Sequence, residues 1–370
     1  MKYDYLIVGC GIYGATFAQQ ATEHGYKCLL IDKRNHIGGN CYTDKKDDID
    51  IHKYGPHIFH TNSDKIWSYV NRFASFNNFI NRPKVSYNNK IYSFPINLMT
   101  LYQLWGVTTP SQAIDKLNQV RIPHNDPKNL EDWVLSQVGE EIYRTFIYGY
   151  TKKQWGTEPK NLPSFIIKRL PIRLSFDDNY YFDKYQGIPI NGYTSMISNM
   201  IDGIECRLNI DYFSNRSYYD DMAHRVVYTG PIDRFFDYEF GNLEYRTLSF
   251  ETTKLNIPDY QGNAIINLTD HNIPHTRIVE HKHFNIAKTK DLSVTYITKE
   301  FSETWTNLSD PYYPINNEVN NNRYTQYAEL AKKTSEIKYI FGGRLAEYQY
   351  YDMHQVIGSA LKRFKDKHTL

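Results

Sequence analysis

The chain has 370 residues, more than one ordinary hydrophobic core accommodates and enough for two or three domains. Its 43 Lys and Arg residues against 41 Asp and Glu residues leave a formal net charge of +2, which excludes a global attraction to nucleic acid or to an anionic membrane. Any basic binding site is therefore local. Aromatic residues make up 15% of the chain and include 33 tyrosines, whose ring and hydroxyl suit the recognition of sugars and bases.

The four cysteines, Cys10, Cys28, Cys41 and Cys206, show no CxxC spacing and no disulfide framework, which predicts a reduced, cytoplasmic protein. The apolar stretch 5–14 is too short and too rich in glycine for a secretory signal. No segment approaches the roughly 18 consecutive apolar residues that span a bilayer, so a soluble protein is expected.

The first predicted element is a short buried strand over Tyr3–Val8, which leads into a glycine turn. Gly9 permits the tight turn, Gly11 lets the backbone approach a pyrophosphate, and Gly14 allows close helix–strand packing. A helix follows over 15–24, and a second strand over 27–31 ends at Asp32. The helix N-terminus offers N–H groups to phosphates, and Asp32 is placed to accept hydrogen bonds from ribose hydroxyls. The pattern predicts a dinucleotide site.

A second glycine pair, Gly38-Gly39, follows closely after Lys33 and precedes Asn40. It lets another stretch of backbone approach an extended cofactor, which a simple nicotinamide dehydrogenase has no obvious need for, and it resembles the loop that lines the FAD diphosphate in flavoproteins. A later strand over 225–228 ends in a Thr-Gly turn that resembles another flavoprotein feature. Together these features favour FAD over NAD.

The remainder of the chain contains three regions with different predicted secondary structure. The segment 97–160 is mostly helical, with Thr109 and Pro110 as helix N-cap and first residue and apolar residues at positions 135, 138, 142 and 146 at helical spacing. β-rich runs at 264–268, 277–280 and 292–296 predict a twisted antiparallel sheet. The end returns to α/β, with a strand over 339–341, a glycine turn and a helix over 352–365.

The predicted fold is therefore α/β: a discontinuous Rossmann-like FAD-binding domain with an inserted α-helical domain and an antiparallel β-sheet domain. The FAD-binding domain is assigned to 1–85, 190–240 and 317–370. The helical domain is assigned to 96–165 with a mobile lid at its end, and the substrate-binding sheet domain to 86–95, 166–189 and 241–316. Ligands in such folds bind at the carboxyl ends of the parallel strands, at the domain junction.

The segment Glu280-His281-Lys282-His283 places two histidines on one face of a strand. A lysine separates them, and no cysteine or second carboxylate pair lies near them in the sequence, so no metal is predicted.

Four further segments carry a resemblance to a known family: HKYGPHIFHT at 52–61, GYTKKQWG at 149–156, FIIKRLP at 165–171 and GGRLAEYQYYDMH at 342–354. In this order, behind an FAD fingerprint, they resemble the bacterial UDP-galactopyranose mutases over nearly the whole chain. The resemblance implies interconversion of UDP-galactopyranose and UDP-galactofuranose without net redox change, with non-covalent FAD that is active when reduced. It further implies a flavin N5–sugar adduct, a homodimer and a role in cell-surface polysaccharide biosynthesis.

The resemblance also implies roles for individual side chains. Arg169 on a mobile loop and Arg277 facing it would clamp the diphosphate, while Arg344 and Arg246 would lie nearer to the flavin or the site wall. Tyrosines 180, 313 and 350 would hydrogen-bond the diphosphate, and positions 150 and 155 would lie at the uracil and the mouth of the site. The sequence leaves open whether Tyr312 or Tyr313 points inward, and Tyr313 is the prediction.

The predicted catalytic residues are Arg169, Arg277, Tyr313 and Tyr350. The predicted substrate-binding residues are Phe146, Tyr150, Trp155, Arg169, Tyr180, Arg277, Tyr313, Arg344 and Tyr350. The predicted cofactor-binding residues are Gly9, Gly11, Gly14, Asp32, Lys33, Gly38, Gly39, Asn40, His57, His60, Arg246, Gly343, Arg344, Tyr350, Asp352 and Met353.

Alternatives remain at this stage. An FAD-dependent oxidoreductase of the amine-oxidase type would share the cofactor motifs but would not use a clamp of several arginines and tyrosines. A non-catalytic nucleotide-binding scaffold would be colourless, whereas bound FAD is yellow. UDP-N-acetylgalactosamine is also an open substrate, for which His60 and Lys168 are the positions of interest.

Overall fold

The computed structural model describes residues 2–168, 172–306, 309–335 and 338–368. Its strands are β1 (Tyr3–Val8), β2 (Cys28–Ile31), β3 (Thr43–Lys46), β4 (Ile49–His52), β5 (Phe59–Thr61), β6 (Lys84–Tyr87), β7 (Lys90–Ser93), β8 (Tyr185–Gly187), β9 (Glu205–Arg207), β10 (Ala223–Tyr228), β11 (Tyr245–Leu255), β12 (Ile265–Leu268), β13 (Arg277–Glu280), β14 (Thr295–Thr304), β15 (Tyr313–Pro314) and β16 (Tyr339–Phe341).

Its α-helices are α1 (Ile12–Glu23), α2 (Asp64–Val70), α3 (Leu98–Trp105), α4 (Pro110–Val120), α5 (Leu130–Ile142), α6 (Gly149–Trp155), α7 (Phe165–Lys168), α8 (Gly192–Met200), α9 (Arg216–Asp220), α10 (Ile232–Phe235), α11 (Ile286–Thr289), α12 (Glu318–Ser335) and α13 (Met353–His368). A π-helical segment, Tyr143–Tyr148, joins α5 to α6. No helix within the described residues is long and apolar enough to cross a membrane.

A parallel sheet holds the two ends of the chain together. Within the described residues it has five strands in the order β16-β10-β1-β2-β9, and each neighbouring pair is parallel. Helices α1 and α13 pack on one face, where the rings of Phe17 and Phe364 lie 5.5 Å apart. Tyr327 of α12 and Phe235 of α10 belong to the core on the other face. Ligands of such sheets bind at the carboxyl ends of the strands, which here include the ends of β1, β2, β10 and β16.

A second sheet is built mainly from the middle of the chain. Its order within the described residues is β15-β11-β14-β13-β12-β6-β7. The pairs are antiparallel except for β12 with β6, which are parallel and come from segments far apart in the chain. The predicted α/β fold with a Rossmann-like unit and an antiparallel sheet is confirmed, and the sheet is extended by this one parallel pair.

The helical segment has the core that its spacing predicts. Leu135, Val138, Ile142 and Phe146 are all buried, and they pack with residues of α3 and α4. Thr109 caps α4 through its side chain, which accepts from the amide of Gln112, and Pro110 is the first helical residue. Both local predictions are confirmed.

Candidate active site

The turn after β1 lies against the turn after β10. Gly9 has φ +107°, which L side chains rarely adopt, and a Cβ on it would lie 2.0 Å from Oγ1 of Thr229. A Cβ on Gly14 would lie 2.0 Å from the carbonyl oxygen of Gly9, as expected for close helix–strand packing. Helix α1 begins at Ile12 without a side-chain cap from Gly11. A helix N-terminus of this kind favours an anion.

The second glycine pair is in backbone contact with the first turn. The amide of Gly38 donates to the carbonyl of Cys10 at 2.8 Å, and Gly38 forms a parallel bridge with Gly11. A Cβ on Gly39 would lie 2.9 Å from Cα of Gly11, so a side chain here would push the two loops apart. Asn40 follows in a short turn of 3-10 helix. Two loops that touch through backbone alone leave room for an extended pyrophosphate between or beside them.

Asp32 at the end of β2 holds the glycine turn in place. One carboxylate oxygen accepts from the amide of Cys10 at 2.7 Å, and the other accepts from the amide of Arg34 at 2.9 Å. The residue is buried, at 8% exposure. Lys33 and Arg34 then pair with Asp310 at 2.8 and 2.7 Å. The carboxylate therefore has a structural function, and its contact with a ribose stays a prediction.

The turn after β16 connects the parallel sheet to the tyrosines. Gly343, at φ +89°, precedes Arg344, whose guanidinium donates to the carbonyl of Tyr351 and, at 3.4 Å, to that of Tyr312. Met353 begins α13, and its sulfur lies 3.7 Å from Sγ of Cys41. Arg344 is thus fixed between the start of α13 and the segment before β15.

Two of the predicted tyrosines stack on each other. The rings of Tyr313 and Tyr350 lie 5.2 Å apart at 24°, and the guanidinium carbon of Arg344 lies 5.9 and 5.5 Å from the two ring centroids. Tyr312, by contrast, is 5% exposed, and its ring lies 5.9 Å from that of Phe250. The structure therefore groups Tyr313, and not Tyr312, with Tyr350 and Arg344.

Arg277 is paired with a buried carboxylate. Arg277 on β13 and Glu300 on β14 are direct cross-strand partners, and their side chains meet at 3.0 Å. Burial, the largest single effect, lowers the pKa of Arg277, but the Glu300 carboxylate and the nearby tyrosine hydroxyls together outweigh it, so the pKa is raised. Nε of Arg277 is buried without a hydrogen-bond partner among the described residues. Arg277 is therefore a permanently charged group with a donor available to a bound anion.

The aromatic side chains around Arg277 come from three segments. The pKa of Arg277 is further raised by interaction with Tyr150, Tyr313 and Tyr180. Burial raises the pKa of Tyr150 to about 12, so its hydroxyl stays protonated and can donate. Tyr180 lies with its ring 5.0 Å from that of Tyr181. These contacts place three of the predicted substrate-binding tyrosines near one guanidinium.

Helix α6, which carries Tyr150 and ends at Trp155, is tied to the loop before β13 by a lysine. Nζ of Lys153 donates to the carbonyls of Leu268, Asp270 and His275 at 2.7, 2.9 and 3.0 Å. Burial lowers the pKa of Lys153 to about 8. All three ammonium donors hold the loop that leads into β13, the strand on which Arg277 lies.

Arg246 binds the same C-terminal turn of α6 that carries Lys153. Its Nε donates to the carbonyl of Gln154 at 3.0 Å, and its terminal nitrogens donate to Ser302 and Thr304 at 3.2 and 3.3 Å. The residue is 5% exposed. Arg246 therefore joins the C-terminus of α6 to β14, and a contact with flavin stays a prediction.

Phe146 and Trp155 differ in exposure. Phe146 is 2% exposed and packs edge-on against Tyr92 at 5.3 Å, within the core of the helical segment. Trp155 is half-buried at the end of α6. The predicted contact of Phe146 with substrate would require movement at this part of the core.

Two histidines occupy polar environments near the predicted flavin side. His60 is bound through Nδ1 to Asp183 at 2.7 Å, lies 3.9 Å from Asp352, and stacks on Tyr181 at 3.7 Å. His57 is bound through Nδ1 to the carbonyl of Gly55 at 2.8 Å. Burial lowers the pKa of His57 to about 4, with Arg344 and Arg277 adding to the effect. His57 is therefore neutral at pH 7.

Several residues of this region carry no signal in the sequence. Glu300, Asp183 and Tyr181 contact predicted site residues, and none belongs to a pattern that predicts a site; Lys153 lies within the quoted segment 149–156, but the sequence predicts no role for it. Their partners lie far away in the chain, so only the pairing of β13 with β14 or the packing of α6 reveals them. For Glu300, the alternation of β14 predicts which face it occupies but not its partner.

Two clusters of carboxylates and imidazoles lie in the described residues. His60, Asp352 and His354 form one, and Asp259, Glu280 and His283 form the other. In the second, His283 lies 3.0 Å from Asp259 and 3.4 Å from Glu280, while His281 points instead to Thr298 at 2.7 Å. The expectation that these two histidines share one face of a strand is wrong, because β13 ends at Glu280 and both histidines lie in the 3-10 helix His281–Asn285 that follows it.

The predicted lid overlaps residues that the structure does not describe. Residues 169–171 lie outside the described residues, and Arg169 with them. The predicted clamp of Arg169 with Arg277 therefore stays a prediction from the sequence.

A family model described as UDP-galactopyranose mutase matches residues 145–350, and a model described as an NAD(P)-binding Rossmann-like domain matches residues 7–73. The first contains Arg277, Glu300, Arg344 and the stacked tyrosines, and the second contains both glycine loops.

The chain is also similar to other proteins over nearly its whole length. It is 40% identical to a dTDP-fucopyranose mutase of Escherichia coli over 96% of each chain. It is 41% identical to a probable UDP-galactopyranose mutase of Klebsiella pneumoniae over 97% of this chain and 93% of that protein. A crystal structure of reduced UDP-galactopyranose mutase superposes with a TM-score of 0.76 at 14% identity, over 99% of this chain and 94% of the other. This last likeness concerns the fold.

Proposed function

The chain belongs to the UDP-galactopyranose mutase family, and from that premise we propose that it interconverts UDP-galactopyranose and UDP-galactofuranose with bound, reduced FAD. One observation carries the proposal: Arg277 is partly buried against Glu300, with its buried Nε unpartnered among the described residues, near Tyr313 and its stacking partner Tyr350. A charged guanidinium surrounded by tyrosine hydroxyls matches the chemistry of a nucleoside diphosphate.

The residues present fit a flavin dinucleotide. The uncapped N-terminus of α1 and the two contacting glycine loops suit the pyrophosphate, and Asp32 is fixed where a ribose would lie. Gly343, Arg344 and the first residues of α13, with Asp352 and Met353, would lie on the isoalloxazine side. When bound and reduced, FAD would supply the nucleophile of the ring contraction through its N5 atom.

The protein's own residues would then bind and orient the sugar nucleotide. Arg277 and Arg344 would neutralise the diphosphate, and the hydroxyls of Tyr180, Tyr313 and Tyr350 would donate to its oxygens. Tyr150 and Trp155 of α6 would bind the uracil. Because Arg277 is held at 3.0 Å by Glu300, its charge is in position before the substrate arrives. Arg169 would close the site from the predicted lid.

The identity of the sugar nucleotide has a second candidate. The relatives at 40% and 41% identity are named for different nucleotides and different sugars, dTDP-fucopyranose and UDP-galactopyranose. Both substrates are nucleoside-diphosphate hexopyranoses, and the arginine–tyrosine group addresses the diphosphate that they share. dTDP-fucopyranose is therefore the alternative substrate of the same site.

A product assay tests the proposal. Purified protein with FAD is reduced with dithionite and incubated with UDP-galactose or dTDP-fucose, and the nucleotide sugars are separated and identified by NMR. We expect a furanose product from UDP-galactose under reducing conditions and little or none with oxidised flavin. A furanose product that forms from dTDP-fucose but not from UDP-galactose would identify dTDP-fucopyranose as the substrate. Absence of any furanose, together with oxygen uptake in the presence of amines, would instead support the amine-oxidase type of reaction.

We also propose a cytoplasmic homodimer whose product enters cell-surface polysaccharide. The oligomeric state is tested by light scattering at several protein concentrations, and a mass of one chain throughout would contradict it.

A further inference from the structure

Two of the four cysteines lie side by side although they are far apart in the chain. Sγ of Cys206 is 3.9 Å from Sγ of Cys10. Cys10 is fully buried in the glycine turn, and Cys206 is half-buried on β9. The other two are differently placed: Cys28 contacts backbone carbonyls near Ala18, and Cys41 contacts the sulfur of Met353.

The path of the chain explains why these thiols meet. Cys10 follows β1 and Cys206 lies on β9. Strand β2 lies between these two strands, so β1 and β9 are not neighbours in the sheet. After β1, the amide of Gly9 donates to the carbonyl of Ile31 and the amide of Cys10 donates to Asp32. The turn therefore crosses over the end of β2, and the side chain of Cys10 reaches β9. The contact is a direct result of the turn that the dinucleotide site requires.

The two thiols differ in reactivity. Hydrogen bonding with Cys206 raises the pKa of Cys10, and burial raises it further. The same hydrogen bond lowers the pKa of Cys206, which increases its thiolate fraction. Cys206 is also the more exposed of the two. Cys206 therefore has the position of an attacking thiolate, and Cys10 that of the thiol that resolves its oxidised form.

We propose that Cys10 and Cys206 are a modification site: a thiol pair that hydroperoxides oxidise to a disulfide, which lowers the affinity of the neighbouring site for its dinucleotide. The Cys206 thiolate attacks the peroxide oxygen, the O–O bond breaks, and Cys206 becomes a sulfenic acid with release of water after protonation. The Cys10 thiol then displaces the hydroxyl as a second water and forms the S–S bond. Two thiols and one hydrogen peroxide thus yield one disulfide and two waters, and dithiothreitol reverses the change.

The link to cofactor affinity follows from the backbone of Cys10. Its amide donates to Asp32 at 2.7 Å, and its carbonyl accepts from Gly38 at 2.8 Å, so this residue joins both glycine loops and the ribose-side carboxylate. Bringing the sulfurs from 3.9 Å to a bond of about 2 Å moves the turn toward β9 and strains these hydrogen bonds. This consequence depends on the proposed FAD site, whereas formation of the disulfide does not.

The experiment separates the two parts. Full-length apoprotein and flavin-loaded protein are treated with stoichiometric hydrogen peroxide, and disulfide-linked peptides are mapped by mass spectrometry without reduction. FAD affinity is then measured by flavin fluorescence for reduced, oxidised and dithiothreitol-treated apoprotein. Cys206→Ser removes the attacking thiol, and Cys28→Ala is the matched control because it removes a cysteine outside the pair.

We expect a Cys10–Cys206 link in the wild type and in Cys28→Ala but not in Cys206→Ser. In the two linked proteins, oxidation should weaken FAD binding about tenfold, equivalent to about 1.4 kcal/mol, and dithiothreitol should restore it. The site assignment is overturned if Cys10 and Cys206 both stay free, or if either of them forms a disulfide with Cys28 or Cys41. The functional part is overturned if linked protein binds FAD as tightly as reduced protein. Protein that binds no FAD in any state would contradict the proposed cofactor and leave the mapped link as the test of the thiol pair.

Discussion

Arg277 and Glu300 form a buried cross-strand ion pair whose value lies in position more than in stability. Replacing such a pair by apolar residues of similar volume is often neutral, whereas removing one partner costs about 3–5 kcal/mol because a buried charge is left unpaired. Glu300 is 1% exposed, and the side chain of Arg277 is 20% exposed. The carboxylate keeps the arginine charged and aimed, with one face still open to a ligand.

We expect Arg277→Lys to lower kcat/KM by about 100-fold, since lysine retains the charge beside Glu300 but loses the planar donor set, a difference of about 2–3 kcal/mol. Steady-state kinetics on the reduced enzyme measure this effect, and urea denaturation checks that the fold is kept. Arg144→Lys is the control, because Arg144 makes an exposed pair with Glu140 one helical turn away. Equal kcat/KM for Arg277→Lys and wild type would remove Arg277 from the site.

The buried imidazole of His281 should make the folded protein less stable in acid. Its Nδ1 accepts from the amide of His52 at 3.3 Å and its Nε2 bonds to Thr298 at 2.7 Å, so the folded protein has no room for a second ring proton. Burial lowers the pKa of His281 to about 3 from an ordinary value of 6.5. Between these values the unfolded chain binds a proton that the folded chain does not. Acidification therefore favours unfolding, by up to about 1.4 kcal/mol per pH unit.

His281→Asn keeps an acceptor toward His52 but does not titrate. We expect the pH dependence of its unfolding free energy between pH 6.5 and 4 to be shallower than that of wild type by about one proton. Urea denaturation at several pH values provides the measurement. His124→Gln, at an exposed position, should leave the wild-type slope intact. An unchanged slope in His281→Asn would contradict the prediction.

Sequence patterns located the glycines of the predicted dinucleotide site because each glycine meets a local conformational or packing requirement of the turn. They did not predict the roles of Glu300 and Lys153, because these roles depend on partners that folding brings close. Glu300 meets its partner through the register of β13 with β14, and Lys153 through the packing of α6 on a loop more than a hundred residues away. The choice between Tyr312 and Tyr313 was likewise open in the sequence, since adjacent residues of an extended segment point to opposite sides.

At the scale of elements, α6 is fastened at two points. Lys153 holds the loop between β12 and β13, and Arg246 holds the helix C-terminus against β14. The helix carries Tyr150, and the fastened loop leads to Arg277. The distance between the uracil and diphosphate subsites of the proposed site therefore depends on these two cations.

Lys153→Met should destabilise the protein by about 2–3 kcal/mol, because three carbonyls lose a charged donor in a half-buried setting. It should also raise KM more than it lowers kcat, since the variant shifts subsites that bind substrate and does not alter the reacting atoms. Thermal unfolding and steady-state kinetics test both effects.

The neighbouring Lys152→Met is the matched control. Among the described residues, Lys152 makes an exposed pair with Glu158 and a contact with Tyr148, so its removal should leave stability nearly unchanged. If Lys153→Met and Lys152→Met have the same stability and the same KM, Lys153 does not hold α6 against the loop between β12 and β13.

At the scale of the whole molecule, the proposed cofactor site joins segments from both ends of the chain. The glycine turns lie near residues 9–14 and 38–40, Thr229 packs on the first turn, and the segment 342–353 follows β16. A ligand bound to all of these segments should stabilise the entire fold, not one part of it.

We expect FAD at about 100 times its Kd to stabilise the protein by about 2.7 kcal/mol and to raise Tm in a single transition. Gly39→Ala should abolish most of this gain, because its Cβ would lie 2.9 Å from Gly11. Gly25→Ala is the control: Gly25 also has a positive φ, but no non-adjacent atom of the described part of the chain lies within 4 Å of a Cβ placed there. Calorimetry with and without FAD gives the comparison, and an equal FAD-induced shift in both variants would contradict the contact between the loops.

The overall fold could be predicted from sequence in its class and in its best-patterned elements. Strand β1 matches its prediction, and α1 and β2 differ from theirs by a few residues at their ends. The parallel pairing of β12 with β6 was not foreseen, because it joins segments about 180 residues apart and no local pattern specifies such a pairing.

The closure of the parallel sheet by β16 and α13 sets an order of events during synthesis. Helix α13 packs on α1, and the residues that begin it complete one wall of the proposed flavin cleft. A nascent polypeptide in which β16 and α13 have not yet been made has both glycine loops yet lacks that wall. Capture of the proposed cofactor is thus expected only after α13 has folded onto α1, so the newly made protein first exists without its flavin.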